Sequence, residues 1–351
     1  MALYSMAEAL QLTRAGKLGE ATAKLQAALS VGAPAPAKVP AAGVIDILPE
    51  RVTVTGKAQA PQPCPASTSG CFEARRHSGP TGAIDYMLYR PASAARGMPL
   101  VIMLHGCTQS PEDFARGTAM NRLAEELRFL VAYPRQTPRA NLQKCWNWFE
   151  PGHQVRGRGE PALIAGLTRD IVVAEGADAA RVYVAGLSAG GAAAAILADA
   201  YPDVFAAVGI HSGLACGAAR DLPSALAAMR GGPRPPSVRA THAAFVPVIT
   251  FHGDRDATVD KGNAHSIVEA ATAAAGVDIL TDVEKGKAGG RSYTRALSRD
   301  RSGQVLIEQW TIAGAGHAWS GGDPSGSYAD AAGPDASRAM LRFFLTHRAK
   351  P

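Results

Sequence analysis

Residues 181–191 read RVYVAGLSAGG, and this stretch decides the fold. Val182, Tyr183 and Val184 form an unbroken run of β-favouring side chains, the composition of a strand buried on both faces. From Ala189 onward the chain is Ala-rich and reads as a helix. Between the two stands Gly186-Leu187-Ser188-Ala189-Gly190, the G-x-S-x-G of a sharp strand-to-helix turn. Such a turn needs small flanking residues, because a Cβ there would strike the neighbouring backbone, and it leaves its central serine exposed. Ser188 is the candidate nucleophile.

Working outward, apolar runs at 83–91 (AIDYMLYRP), 99–106 (PLVIMLHG), 129–134 (FLVAYP), 205–213 (FAAVGIHSG) and 247–253 (PVITFHG) read as strands. Helical patterns near 111–127, 160–175, from 189 and near 262–275 alternate with them, followed by a β-hairpin near 290–312 and a last helix near 334–347. This is the rhythm of βαβ units and predicts an α/β chain with a mostly parallel, doubly wound sheet, the α/β-hydrolase arrangement. Upstream, RVTVTG at 51–56 reads as a further strand. Leu3, Met6, Ala7, Leu10, Leu18, Ala21, Leu25 and Ala28 recur at helical spacing and break at Gly16, which predicts an N-terminal helical hairpin over 1–30. The Pro- and Ala-rich segment 31–50 reads as a linker, 51–351 as the catalytic domain, and 213–245 as a small cap or loop insertion within it.

Composition narrows the function classes. Hydrophobic residues are 47 % and charged residues 19 % of the 351, as in an ordinary globular chain. The net charge of +6 comes from scattered Lys and Arg with no run of five like charges, so nucleic acid is not the expected partner. No apolar stretch reaches 18 residues, so no transmembrane helix is expected. The start, MALYSMAEALQLTRAG, lacks a basic n-region and carries Glu8 where an apolar core would be needed, so it does not read as a signal peptide. Five cysteines are too few for a disulfide scaffold, although Cys64 and Cys71 lie close enough in a Pro- and Ser-rich loop to bridge.

A serine hydroxyl needs an imidazole base, and the base a carboxylate that holds its tautomer. With this elbow the chain order is Ser, then Asp or Glu, then His, each beyond a later strand. Of the histidines past PVITFHG, His265 falls inside a predicted helix and His347 near the end of the last one, where a cation suits the helix dipole. His317, in the Gly-rich GAGHAWSGG, is the expected base. The turn after PVITFHG offers Asp254 and Asp256; Asp256 lies farther out and is the expected acid, Asp254 a hydrogen-bond partner of turn amides. The oxyanion hole needs the amide of Ala189 and one from the loop after PLVIMLHG, where Cys107 is the first choice and Thr108 the second. This chemistry calls for no metal and no cofactor.

LHGCTQS at 104–110, CWNWF at 145–149, GEPALI at 159–164, GLSAGG at 186–191, HGDRDATV at 252–259 and GAGHAWSGG at 314–322 together resemble the catalytic domain of the polyhydroxybutyrate depolymerase esterases, over about residues 80 to 347. The resemblance implies a secreted serine esterase acting on short-chain polyhydroxyalkanoates or similar polyesters, with Ser188, Asp256 and His317 as triad. It extends to feruloyl and acetylxylan esterases, which form the alternative substrate reading. It further implies a disulfide between Cys107 and Cys145, and an extracellular or periplasmic location at odds with the N-terminus. Trp148 and Trp319, beside the proposed site, and Thr108 are the expected substrate-binding residues, since indoles give flat apolar area for an ester chain. A retained fold without catalysis, acting as a binding protein, is the reading from a different class.

Overall fold

Apolar side chains alternate between two cores along the central strands. In β5 (Val182–Leu187), Val182 and Val184 join one core, while Tyr183, Ala185 and Leu187 join the other. The computed structural model describes residues 70–231 and 245–349. The expected hairpin at 1–30, the linker, the strand at 51–56, Cys64 and the segment 232–244 of the expected cap lie outside these described residues.

Among the described residues the chain begins with two long antiparallel strands, β1 (Cys71–Gly79) and β2 (Gly82–Arg90). The parallel strands follow: β3 (Leu100–Leu104), β4 (Leu130–Pro134), β5, β6 (Ala207–His211), β7 (Val248–Gly253) and β10 (Val305–Ile312). Between β7 and β10 run β8 (Leu280–Ala288) and β9 (Arg291–Arg299). The sheet order is β1-β2-β4-β3-β5-β6-β7-β10-β9-β8, antiparallel at both ends and parallel from β4 to β10. This is the expected mostly parallel, doubly wound sheet. β3 to β7 are fully buried, which is why they read as continuous apolar runs.

One face is covered by α3 (Gly159–Glu175), α4 (Ala189–Ala200), α5 (Leu222–Gly231) and α6 (Gly262–Ala275). The other is covered by α1 (Pro111–Thr118), α2 (Met120–Leu127) and α7 (Ala336–Phe344). The single helix expected near 111–127 is two, because Ala119 adopts a left-handed φ of 51° and closes α1 through its N–H on Arg116 O. Ser110 caps α1, its Oγ accepting from Asp113 N at 3.2 Å, with Pro111 at the first helical position. Two short paired segments, β11 (Trp319–Ser320) and β12 (Ala329–Asp330), lie in the long loop after β10.

The region 213–245 contributes α5 among its described residues. His347 does not act as an exposed cation at a helix end. It is buried beyond α7, with Nδ1 2.8 Å from Phe343 O and Nε2 2.9 Å from Val305 O, the neutral ring donating to one of the two, and burial lowers its pKa.

Candidate active site

The elbow shows why its glycines are there. A Cβ on Gly186 would lie 2.3 Å from the backbone of Gly190, and one on Gly190 would lie 2.1 Å from Leu104 O. Only glycine lets β5, α4 and the end of β3 meet this closely. Ser188 sits at the apex with φ 57° and ψ −120°, a conformation sparsely populated outside glycine, and its N–H is fixed by His211 O at 2.9 Å. It caps α4, so the Ala189 N–H points out of the helix with no carbonyl partner among the described residues.

The loop after β3 meets the elbow from the other side. The open face of Gly106 is directed at Leu187 O and at the Ser188 side chain. His105, fully buried, bonds Gly106 O through Nδ1 at 2.8 Å and accepts Gln136 N–H at Nε2 at 3.1 Å, which assigns the proton to Nδ1. Burial pushes its pKa down to about 4, so the ring is neutral. Gln109 Oε1 accepts from Gly106 N at 2.8 Å. Of the two amides considered for the oxyanion hole, Thr108 N–H is committed to Gln143 O at 2.6 Å, whereas Cys107 N–H has no partner among the described residues. The expected first choice is the one left available.

Cys107 is joined to Cys145 by a disulfide, 38 residues on, as the family resemblance implies. The CWNWF loop it reaches is organised by one buried carboxylate at the start of α3. Glu160 accepts from Asn147 N at 2.8 Å and Asn147 Nδ2 at 2.7 Å, and also from Gln136 Nε2. Trp146 is fully buried and donates Nε1 to His105 O at 3.0 Å, so it is part of the floor.

Asp256 and His317 come together from the loops after β7 and β10. His317 Nδ1 lies 2.7 Å from Asp256 Oδ2, and the Asp256 side chain is fully buried. Its other oxygen accepts the Thr258 and Val259 amides, each at 2.9 Å. Burial alone would raise the Asp256 pKa; the hydrogen bond and charge of His317 and the two amides outweigh it and hold the carboxyl at about 2. His252 packs 3.4 Å away and donates Nε2–H to Val259 O at 2.8 Å, fixing the same turn. Asp254 bonds an amide as expected, but that of Gly314 in the His317 loop rather than of its own turn.

His211 links the two halves. Its carbonyl holds Ser188, while its Nε2 accepts from Ser320 N, three residues past His317, at 3.0 Å. Ser188 and His317 make no hydrogen bond with each other here; such contacts commonly tighten only when substrate is bound.

The two tryptophans expected to face substrate do not. Trp319 is 1 % exposed, donates Nε1 to Ser337 Oγ at 3.0 Å and stacks on His211. Its buried N–H finds a protein acceptor, so the ring supports the His317 loop from within. Trp148 is 6 % exposed and packs edge-on against Phe149 in the core. Thr108 is exposed at the site, with Oγ1 donating to Cys107 O at 2.6 Å. A residue not singled out from sequence, Tyr328, reaches the same place from β11–β12: its ring stands edge-on to His317 with centroids 6.5 Å apart, and its hydroxyl is 3.5 Å from Thr108 Oγ1. Nothing in its sequence context, GSYAD, marks it.

Among the described residues no group of three or more His, Cys, Asp or Glu side chains is arranged to hold a metal ion, and no helix is long and apolar enough to cross a membrane. The sequence pattern of the family described as Esterase PHB depolymerase matches residues 84–285. A poly(3-hydroxyalkanoate) depolymerase C of Paucimonas lemoignei is 33 % identical over 251 residues, covering 67 % of this chain and 58 % of that protein. A feruloyl esterase B of Thermothelomyces thermophilus is 33 % identical over 143 residues, 40 % of this chain and 48 % of that one. The chain thus spans about half the length of the curated relatives it matches. In fold it is similar to an acetyl xylan esterase from Aspergillus awamori, with a TM-score of 0.61 at 18 % identity over 78 % of this chain and 99 % of that one.

Proposed function

The chain belongs to the Esterase PHB depolymerase family, and from that premise we propose that it is a serine esterase hydrolysing short-chain polyhydroxyalkanoates, poly(3-hydroxybutyrate) or its oligomers, through an acyl-enzyme. The observation that carries this reading is the 2.7 Å bond between His317 Nδ1 and the buried Asp256 carboxylate, on two loops that follow the Ser188 elbow in chain order. Accepting the Nδ1 proton leaves Nε2 as the basic nitrogen. His317 takes the Ser188 proton as Oγ attacks the ester carbonyl, and returns it to the leaving alkoxide. Asp256, held ionised, offsets the imidazolium charge. The free amides of Cys107 and Ala189 receive the oxyanion, each such donor being worth about 10²–10³ in turnover. Water then attacks the acyl-enzyme along the same route, releasing a 3-hydroxyacyl acid.

An oxidising compartment, extracellular or periplasmic, belongs to this reading, and the Cys107–Cys145 disulfide supports it. Hydrolysis of feruloyl or acetyl esters on xylan is the second reading, favoured by the likeness to a feruloyl esterase B. The test is ester release by wild type and Ser188→Ala on amorphous poly(3-hydroxybutyrate), its soluble trimer, and feruloylated and acetylated xylan. Release from polymer and trimer that disappears in the variant is the expected result. Release from the xylan esters alone would move the substrate to the second reading, and full activity in Ser188→Ala would overturn the mechanism.

A further inference from the structure

Tyr328 is a bulky side chain placed where it gains nothing for the core. It is 47 % exposed, and its backbone is left-handed at φ 51°, a conformation that costs an aromatic residue free energy. Three of the seven non-glycine residues with positive φ among the described residues, Thr108, Ser188 and Tyr328, belong to this one site. The strain at Tyr328 is held from both sides. Its carbonyl accepts Trp319 N–H at 2.7 Å. The preceding Ser327 is gripped by Asp113, which accepts its N–H at 3.1 Å and its hydroxyl, and by Gln109, whose Nε2 donates to Ser327 O at 3.0 Å. Gln109 is the same side chain that fixes Gly106. One network therefore sets both the oxyanion loop and the position of the tyrosine.

The hydroxyl group is where this arrangement has a use. Thr108 Oγ1 spends its proton on Cys107 O, so across the 3.5 Å gap only the phenol has a proton to give, and that contact is too long to hold it. An exposed donor with a loose partner thus stands beside Thr108, the residue after the proposed oxyanion amide, on a ring that is edge-on to His317. The internal repeats of a polyester carry carbonyl acceptors and no donors, so a site that reads more than one repeat gains from donors beyond the oxyanion hole.

We propose that Tyr328 is a substrate-contact residue whose phenol donates a hydrogen bond to an ester carbonyl adjacent to the scissile one, while its ring walls the cleft beside His317. This rests on the serine-esterase reading of the site. It makes Tyr328 a determinant of preference for oligomeric over single esters.

The test compares wild type, Tyr328→Phe and Ser188→Ala on the 3-hydroxybutyrate trimer and on p-nitrophenyl acetate, which has no second carbonyl to read. One lost neutral hydrogen bond corresponds to roughly a 3- to 10-fold effect. Tyr328→Phe is expected to lower the ratio of kcat/KM for trimer to that for p-nitrophenyl acetate by this factor, mainly through KM. Binding of trimer to Ser188→Ala, followed by calorimetry, is expected to weaken by a similar factor when Tyr328→Phe is added. An unchanged ratio and unchanged binding would overturn the proposal and leave the serine-esterase reading standing. An equal loss on both substrates would show a structural role only and also overturn it. Turnover retained in Ser188→Ala would instead remove the reading on which it rests.

Discussion

Gly314 donates its N–H to Asp254 Oδ1 at 2.6 Å, so the loop that carries His317 is tied through its backbone to the turn that carries Asp256. Two carboxylates two residues apart divide the work: Asp254 positions the loop and Asp256 meets the ring. Gly253 lets the two turns touch, since a Cβ there would fall 2.3 Å from Ala315 O.

That division predicts unequal losses. Asp256→Asn is expected to keep the fold and lower kcat by about 10⁴, the scale seen when an asparagine replaces a triad carboxylate and favours the wrong tautomer. Asp254→Ala removes one exposed charge-assisted bond and is expected to lower kcat/KM by only about 10-fold. Steady-state kinetics on a soluble ester checks both. A larger loss at Asp254 than at Asp256 would reverse the assignment.

Acid should destabilise the fold beginning near neutrality. His105 and His211 are buried neutral, and burial holds their pKa values at about 4 and about 3 against 6.5 for a free imidazole. Below pH 6.5 the unfolded chain binds these protons and the folded chain does not, so stability present above pH 6.5 is lost as pH falls toward 4. Asp256 adds to this below pH 4: ionised down to about 2 when folded, it contributes stability that is complete above 3.8 and lost as pH falls through 2. Urea unfolding at pH 7, 5.5 and 4 is expected to show a fall of several kcal/mol. A flat profile would mean that these imidazoles are not held neutral.

The parallel strands and the elbow were legible in the sequence because strands buried on both faces must be continuously apolar, and because Gly186 and Gly190 are required by backbone contacts only glycine permits. The edges were not. β1 interleaves Glu73, Arg75 and Arg76 with apolar residues, and β8 is exposed along most of its length, with Lys285 and Lys287 on it. Such charged edge strands resist further pairing and carry no buried pattern to read. The order proposed for Ser188, Asp256 and His317 can be read from strand ends, whereas the burial of Trp319 cannot, because Phe114 and His211, which enclose its ring, are remote in the chain. The placement of Tyr328 is equally hidden, because the hydroxyl it approaches, that of Thr108, is 220 residues away in the chain.

The Cys107–Cys145 disulfide closes a loop of 38 residues that holds the proposed oxyanion amide. By loop-closure entropy such a link is worth about 2–4 kcal/mol. The double variant Cys107→Ser with Cys145→Ser is expected to unfold at lower urea concentration by about that free energy. On the proposed oxyanion role of the Cys107 N–H, kcat should fall while KM changes little. Unchanged stability would show that Glu160 and the network around Asn147 and Gln136 suffice to hold the loop.

Trp319 gives the sharpest separation between a residue that supports the site and one that touches substrate. Its indole is enclosed by Phe114 edge-on at 5.4 Å and His211 stacked at 5.1 Å, and its N–H ends on Ser337 Oγ, which in turn donates to Thr118 O at 2.7 Å. Trp319→Phe empties part of that space and removes one buried donor, which costs about 1–3 kcal/mol. Trp319→Ala costs about 3–5 kcal/mol. The loss passes to His317 only through the loop, so kcat is expected to fall while KM for the trimer stays within about twofold. Urea unfolding and steady-state kinetics on the same preparations decide it. A raised KM with unchanged stability would return the ring to the cleft, where its nearness to His317 in sequence first suggested it belonged.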